Sequence, residues 1–171
     1  MKVNEQSFMT GINTQLIKYK GIQHERFEDA PFIGALIIAN HCDGECTNCF
    51  NKHIIKAPYK TNTASEILDL IQCNPINEGI ILGGLEWIYQ PIDAFNLASG
   101  ALLRGLKVIL YTSASEDKVK TKYKYLYDLP IYIKFGKYID GFKPHKDKTG
   151  VRLSSPNQYI SCPEDRNNYY K

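Results

Sequence analysis

The chain has 171 residues, 43% of them hydrophobic and 23% charged, which suits one folded domain with a sizeable core. Its net charge of +3 is too small to point to nucleic acid, and no apolar run approaches the length of a membrane span. Residues 1–10 are polar with no apolar h-region, so no secretion signal is expected, and five cysteines without one argue against a disulfide framework.

Met1 to Glu28 is polar, with short apolar alternation around Leu16, Ile17, Lys18 and Tyr19, and reads as an extended lead-in or a hairpin. Phe32 to Ala39 is a nearly continuous apolar run that suits a buried strand of a parallel sheet. Asn40 to Lys52 is then a loop at the carboxyl end of that strand, where ligand sites of α/β folds concentrate. Thr63 to Glu66 matches a capping box, with Ile67, Leu68, Leu70 and Ile71 as the apolar face of the helix and Asn74-Pro75 as its stop. Glu78 to Leu82 reads as a second strand. Pro91 opens a helix that runs to about Arg104 and stops at Gly105.

Lys107 to Tyr111 is the third strand, and Ser113 to Glu116 is a second capping-box match that opens a lysine-rich helix to about Tyr127. Ile131 to Phe135 is the fourth strand. Gly136 to Gly150 reads as a long loop, followed by short strands at Val151 to Leu153 and Gln158 to Ile160. Strands alternating with helices predict an α/β fold with a mostly parallel sheet. Four βα units are too few for an eight-stranded barrel, so an open, incomplete barrel or curved sheet is expected. One domain spans residues 1–171, with the lead-in over 1–30 and a loop-rich segment over 136–171.

The chemistry concentrates in His41 to Asn51, where Cys42, Cys46 and Cys49 form a Cys-x3-Cys-x2-Cys array. Three such thiolates can wrap one cubane iron–sulfur cluster and leave its fourth iron open. Zinc, with His41 or His53 as a fourth ligand, is the alternative, and plain thiols are the bland one. Of the remaining cysteines, Cys73 reads as a buried thiol and Cys162 as an incidental one. Lys118, Lys120, Lys122 and Lys124 read as a solvated helix face. Lys134, Lys137, Lys143, Lys146 and Lys148 suit docking of an acidic partner, and His145 reads as a surface residue.

The cysteine loop resembles that of the radical S-adenosylmethionine superfamily at Cys42, Cys46 and Cys49. Cys49-Phe50-Asn51 resembles the Cys-aromatic-Asn of its small activases, which act on anaerobic ribonucleotide reductase. Asn48 stands where an aromatic residue usually stacks on the adenine, and Phe50 is a candidate for that role. Gly83-Gly84-Leu85-Glu86 resembles the Gly-Gly-Glu-Pro motif that holds the methionine amino group, with Leu85 intervening and Trp87 in place of proline. Leu153-Ser154-Ser155-Pro156-Asn157-Gln158 resembles the Gly-Ser-Ser-Asn-Gln stretch near the end of the activases, with Pro156 inserted.

The resemblance implies a 4Fe-4S cluster on Cys42, Cys46 and Cys49. It places S-adenosyl-L-methionine among Asn48, Phe50, Asn51, Gly83, Gly84, Glu86 and Thr112. It implies an oxidoreductase that cleaves this cosubstrate reductively and removes a hydrogen atom from a glycine of a partner glycyl radical enzyme. Anaerobic ribonucleotide reductase is the expected partner and flavodoxin the kind of electron donor, in an anaerobic cytoplasm. No nucleic-acid or membrane partner is expected. Two rivals stand beside this: the same chemistry on a small molecule or peptide, and a non-catalytic zinc- or cluster-binding module.

Overall fold

A computed structural model describes residues 14–166. They form strands β1 (Leu16–Arg26), β2 (Gly34–Ala39), β3 (Lys60–Thr63), β4 (Gly79–Gly83), β5 (Lys107–Tyr111), β6 (Tyr132–Phe135), β7 (His145–Lys146), β8 (Arg152–Leu153) and β9 (Tyr159–Ser161). The helices are α1 (Ala64–Gln72), α2 (Pro91–Leu103), α3 (Glu116–Lys122), α4 (Lys124–Tyr127) and α5 (Pro163–Arg166). Seven strands make one sheet in the order β3-β1-β2-β4-β5-β6-β9, and β7 and β8 make a separate hairpin.

The four central strands are parallel and stand in chain order. The flanking strands β1, β3 and β9 are antiparallel, so the α/β sheet is mixed with a parallel centre. Strand residues alternate between two apolar layers, as the pleat requires. Ile80, Leu82, Val108 and Leu110 pack with Ile67, Leu97, Val119 and Leu126 of the helices. Ile81 and Ile109 turn the other way, onto Phe32, Val151, Leu153 and Ile160. Helices α1 to α4 therefore cover one face, and the C-terminal segment covers the other. Among the described residues no helix is long and apolar enough to cross a membrane.

Local chemistry explains most boundaries. Thr63 caps α1 through its hydroxyl while Glu66 reaches back to the Thr63 amide, which completes the expected capping box. Pro91 occupies the first position of α2, and Gly105 takes a φ of +75° just past its end. At the amino end of β4, a Cβ on Gly79 would lie 2.3 Å from the Lys107 carbonyl oxygen, so only glycine lets β5 approach.

Several expectations are corrected. Residues 16–26 of the lead-in are an 11-residue strand of the main sheet, while residues 1–13 lie outside the described residues. Lys60–Thr63 pairs with Leu16 to Tyr19, a strand that its polar sequence did not announce. The lysine-rich helix breaks at Tyr123 into α3 and α4. Its cap is Ser115, whose hydroxyl accepts from the Lys118 amide, and not Ser113. Cys73 sits exposed at the end of α1, because the apolar face of that helix has already turned away there.

Candidate active site at the carboxyl ends of the parallel strands

A cleft of about 440 Å³ opens where β2, β4, β5 and β6 end. Cys42, Cys46 and Cys49 line it together with Phe50, Asn51, Gly84, Glu86 and Thr112. Of the residues expected there, Asn48 and Gly83 lie off its lining, and so do the histidines considered for zinc, His41 and His53.

The cysteine loop is built from short turns. The Cys49 amide donates to the Cys46 carbonyl at 3.4 Å, and Lys52 donates to Cys49 at 3.2 Å as the 3₁₀ turn Lys52–Lys56 begins. Asn48, between them, takes a φ of +55°, a left-handed turn that asparagine tolerates better than most residues. Its side chain points outward and donates to the Asp140 carboxylate at 2.7 Å. Asn48 is thus a strap between the cysteine loop and the segment after β6, not a group facing the cleft. Lys137 approaches Glu45 at 3.8 Å beside it.

Further bonds fix the rest of the loop. Asn51 Nδ2 donates to the Gly84 carbonyl at 2.8 Å, and the Glu86 amide donates to the His41 carbonyl at 3.0 Å. Tyr89 donates its hydroxyl to Asp43 at 2.5 Å. That bond holds the Asp43 carboxyl below its ordinary range and pushes the Tyr89 phenol up to about 12. Burial is the main influence on Cys42 and Cys46, and it pushes both thiols up.

Gly84 has a φ of +75°, and a Cβ there would meet Ile38 at 2.9 Å, so the turn after β4 demands glycine. Glu86 is buried, and its carboxylate is held by protein groups. One oxygen accepts from the Ile88 amide at 3.2 Å. The other accepts from the Ser113 amide at 2.7 Å and the Ser113 hydroxyl at 2.8 Å. Glu86 therefore staples the loop after β4 to the loop after β5. Thr112 is buried beside it, with its hydroxyl accepting from the Ala114 amide at 3.1 Å. Phe50 is 76% exposed on the rim, the only phenyl ring on the loop.

The stretch Ser154 to Gln158 folds on itself. Gln158 accepts from the Ser154 and Ser155 amides at 3.1 and 3.2 Å and donates to the Gly136 carbonyl at 3.2 Å. It props the wall of the cleft that follows β6.

Lys134 is the residue that sequence reasoning misplaced. Read as a docking lysine, it is 7% exposed and lines the cleft, because β6 is buried on both faces. Its ammonium donates to the Gly136 carbonyl at 2.8 Å and lies 5.6 Å from the centre of the Tyr111 ring. Burial lowers it to about 8, against a partial pull upward from Glu86 and Cys46. His145, read as a surface residue, is half-buried, with Nδ1 unpartnered among the described residues.

A pH dependence follows for the ligand-free protein. The folded value for Lys134 lies below the unfolded value of about 10.4, so at this group the unfolded chain binds more protons, and its contribution to stability rises from about pH 8 to about pH 10. Lys134→Met is expected to gain on the order of 2 kcal/mol at pH 7 and to lose that advantage by about pH 10. Urea denaturation of both proteins at the two pH values checks this; an advantage unchanged with pH would contradict it.

Among the described residues, no three His, Cys, Asp or Glu side chains are drawn together as a preformed ion site. The three cysteines are nonetheless free thiols on one wall of one cleft, a soft donor set that fits an iron–sulfur cluster. No family model, curated protein or solved structure matches this chain.

Proposed function

We propose that this chain is a radical S-adenosylmethionine activase. It would generate a glycyl radical on a partner enzyme, with anaerobic ribonucleotide reductase as the expected partner. The observation that carries the reading is that Cys42, Cys46 and Cys49 line one cleft with Gly84, Glu86 and Thr112 at the carboxyl ends of consecutive parallel strands. In this reading the parallel centre of the sheet is the open part of an incomplete βα barrel, and its open side admits a loop of another protein.

Cys42, Cys46 and Cys49 would hold the cluster. A 4Fe-4S cluster on three thiolates keeps an open iron for S-adenosylmethionine and supplies the electron that breaks its carbon–sulfur bond. The chain's own residues do the binding and orienting. Asn51 and Tyr89 hold the cysteine loop against the turn after β4. Gly84, in the left-handed turn that its packing on Ile38 demands, presents backbone to the cleft. Glu86 keeps the loops after β4 and β5 at a fixed spacing, and Lys134 offers a buried positive charge to a carboxylate. Phe50 offers an exposed ring for stacking on the adenine.

The test is anaerobic reconstitution with iron and sulfide, then dithionite and S-adenosylmethionine. About four irons per chain are expected, with an EPR signal that changes on adding the cosubstrate and with 5′-deoxyadenosine as product. Zinc without iron, or a full cluster whose EPR signal the cosubstrate leaves unmoved, would remove this reading.

A further inference from the structure

The segment after β6 pairs its acids with donors of the protein itself. Asp140 accepts from Asn48 at 2.7 Å and from Tyr138 at 2.9 Å. Asp147 accepts from the Thr149 and Ile160 amides at 2.9 and 3.1 Å. Two of its cations are paired, Lys137 with Glu45 and Lys148 with Asp165. Lys143, Lys146 and Arg152 are exposed, and their side chains make no hydrogen bond or ion pair among the described residues.

Two of those three face each other. In the β7–β8 hairpin, Lys146 is the direct cross-strand partner of Arg152. Like charges in that position destabilise a strand pair. The hairpin thus keeps two like charges opposite each other, neither in an ion pair among the described residues. Arg152 also lines the mouth of the cysteine cleft. Phe142, 56% exposed, and Ile139, 43% exposed, add apolar surface to the same segment.

We propose that the β7–β8 hairpin is a docking platform for an acidic polypeptide segment, which it steers towards the cysteine cleft. This rests on the activase reading insofar as the segment belongs to the protein that supplies the target glycine. Three free cations beside exposed Phe142 and Ile139 suit a carboxylate-bearing peptide. A nucleic acid is held typically by many more phosphate contacts, on the order of six to ten. Complementary charge at the rim raises the rate of encounter, and a salt-dependent association follows.

The probe is a fluorescein-labelled peptide of alternating glutamate and glycine, followed by anisotropy at low and high salt. A glutamine–glycine peptide and a single-stranded oligothymidylate serve as controls. The acidic peptide is expected to bind and the neutral one not to. Lys143→Glu/Lys146→Glu is expected to weaken binding at least about tenfold. Lys146→Glu alone is expected to raise the melting temperature slightly, since it then faces Arg152 with opposite charge, so its lost binding cannot be blamed on misfolding. Wild-type affinity in the double variant would overturn the proposal. So would tighter binding of the oligothymidylate with the same loss in the variant, which would assign the surface to nucleic acid. The measurement needs no cluster. Protein that takes up no iron yet binds the peptide separates a failed activase reading from a sound docking surface. Reconstituted protein that yields 5′-deoxyadenosine but ignores the peptide does the reverse.

Discussion

Cys46→Ala is expected to abolish 5′-deoxyadenosine formation and to leave the fold standing. The Cys46 thiol makes no hydrogen bond among the described residues, and its side chain is half-buried on the cleft wall. Removing it therefore takes away a proposed cluster ligand and little else. Two remaining thiolates cannot hold a site-differentiated cubane, so iron after reconstitution should fall to background and product with it. The melting curve should shift by no more than a surface substitution would move it, about 0.5 kcal/mol. Iron content, product analysis and thermal unfolding on one preparation check all three statements. A variant that keeps its iron and its product would show that Cys46 is not a ligand.

Trp87→Ala carries the largest expected loss of stability. Trp87 is fully buried, in a 3₁₀ turn (Trp87–Tyr89) that connects the Glu86 staple to α2. Its indole donates to the Ile37 carbonyl of β2 at 3.0 Å. Truncating a buried aromatic costs about 3–5 kcal/mol, and the lost hydrogen bond adds about 1 kcal/mol. Against a total stability of about 5–15 kcal/mol for an ordinary domain, this leaves the protein marginal or unfolded. Trp87→Phe keeps most of the volume and should cost roughly 1–3 kcal/mol. Far-ultraviolet circular dichroism in urea is the readout, because the substitution removes the chain's single tryptophan and its fluorescence. A loss under about 1 kcal/mol for the alanine variant would mean that the site collapses around the cavity more fully than its packing suggests.

The elements most legible in the sequence are those whose residues meet one demand only. Lys107–Tyr111 is a buried parallel strand and nothing else, and its predicted bounds match. Thr63 and Glu66 satisfy each other locally, so their capping box forms as read. Ser113 to Glu116 has the same pattern and fails, because Glu86 claims Ser113 through a contact 27 residues distant that no local pattern records. Lys60–Thr63 carries no apolar residue and becomes a strand only because β1 lies beside it. In β1 itself, Ile17 and Tyr19 turn into the core while most of the polar residues after them are exposed, which resembles a loop when read without its partner. At the site, the cysteines are visible because three thiols at close spacing stand out in any sequence, and Gly84 because a left-handed turn demands glycine. Lys134 is not, since a lysine inside a strand reads as surface until both sheet faces are known to be covered.

The placement of the short antiparallel strands governs how this protein meets its own copies. Among the described residues, the hydrophobic parallel strands do not reach an edge of the sheet. One margin is Lys60–Thr63, four polar residues with a lysine at the start, and the other is the three-residue strand Tyr159–Ser161. Short, polar margins offer few free amides and carbonyls to another chain, which is how natural sheets resist edge-to-edge aggregation. If one side of the sheet opens to a partner loop, as proposed above, the other sides, where association would be indiscriminate, are in this way guarded.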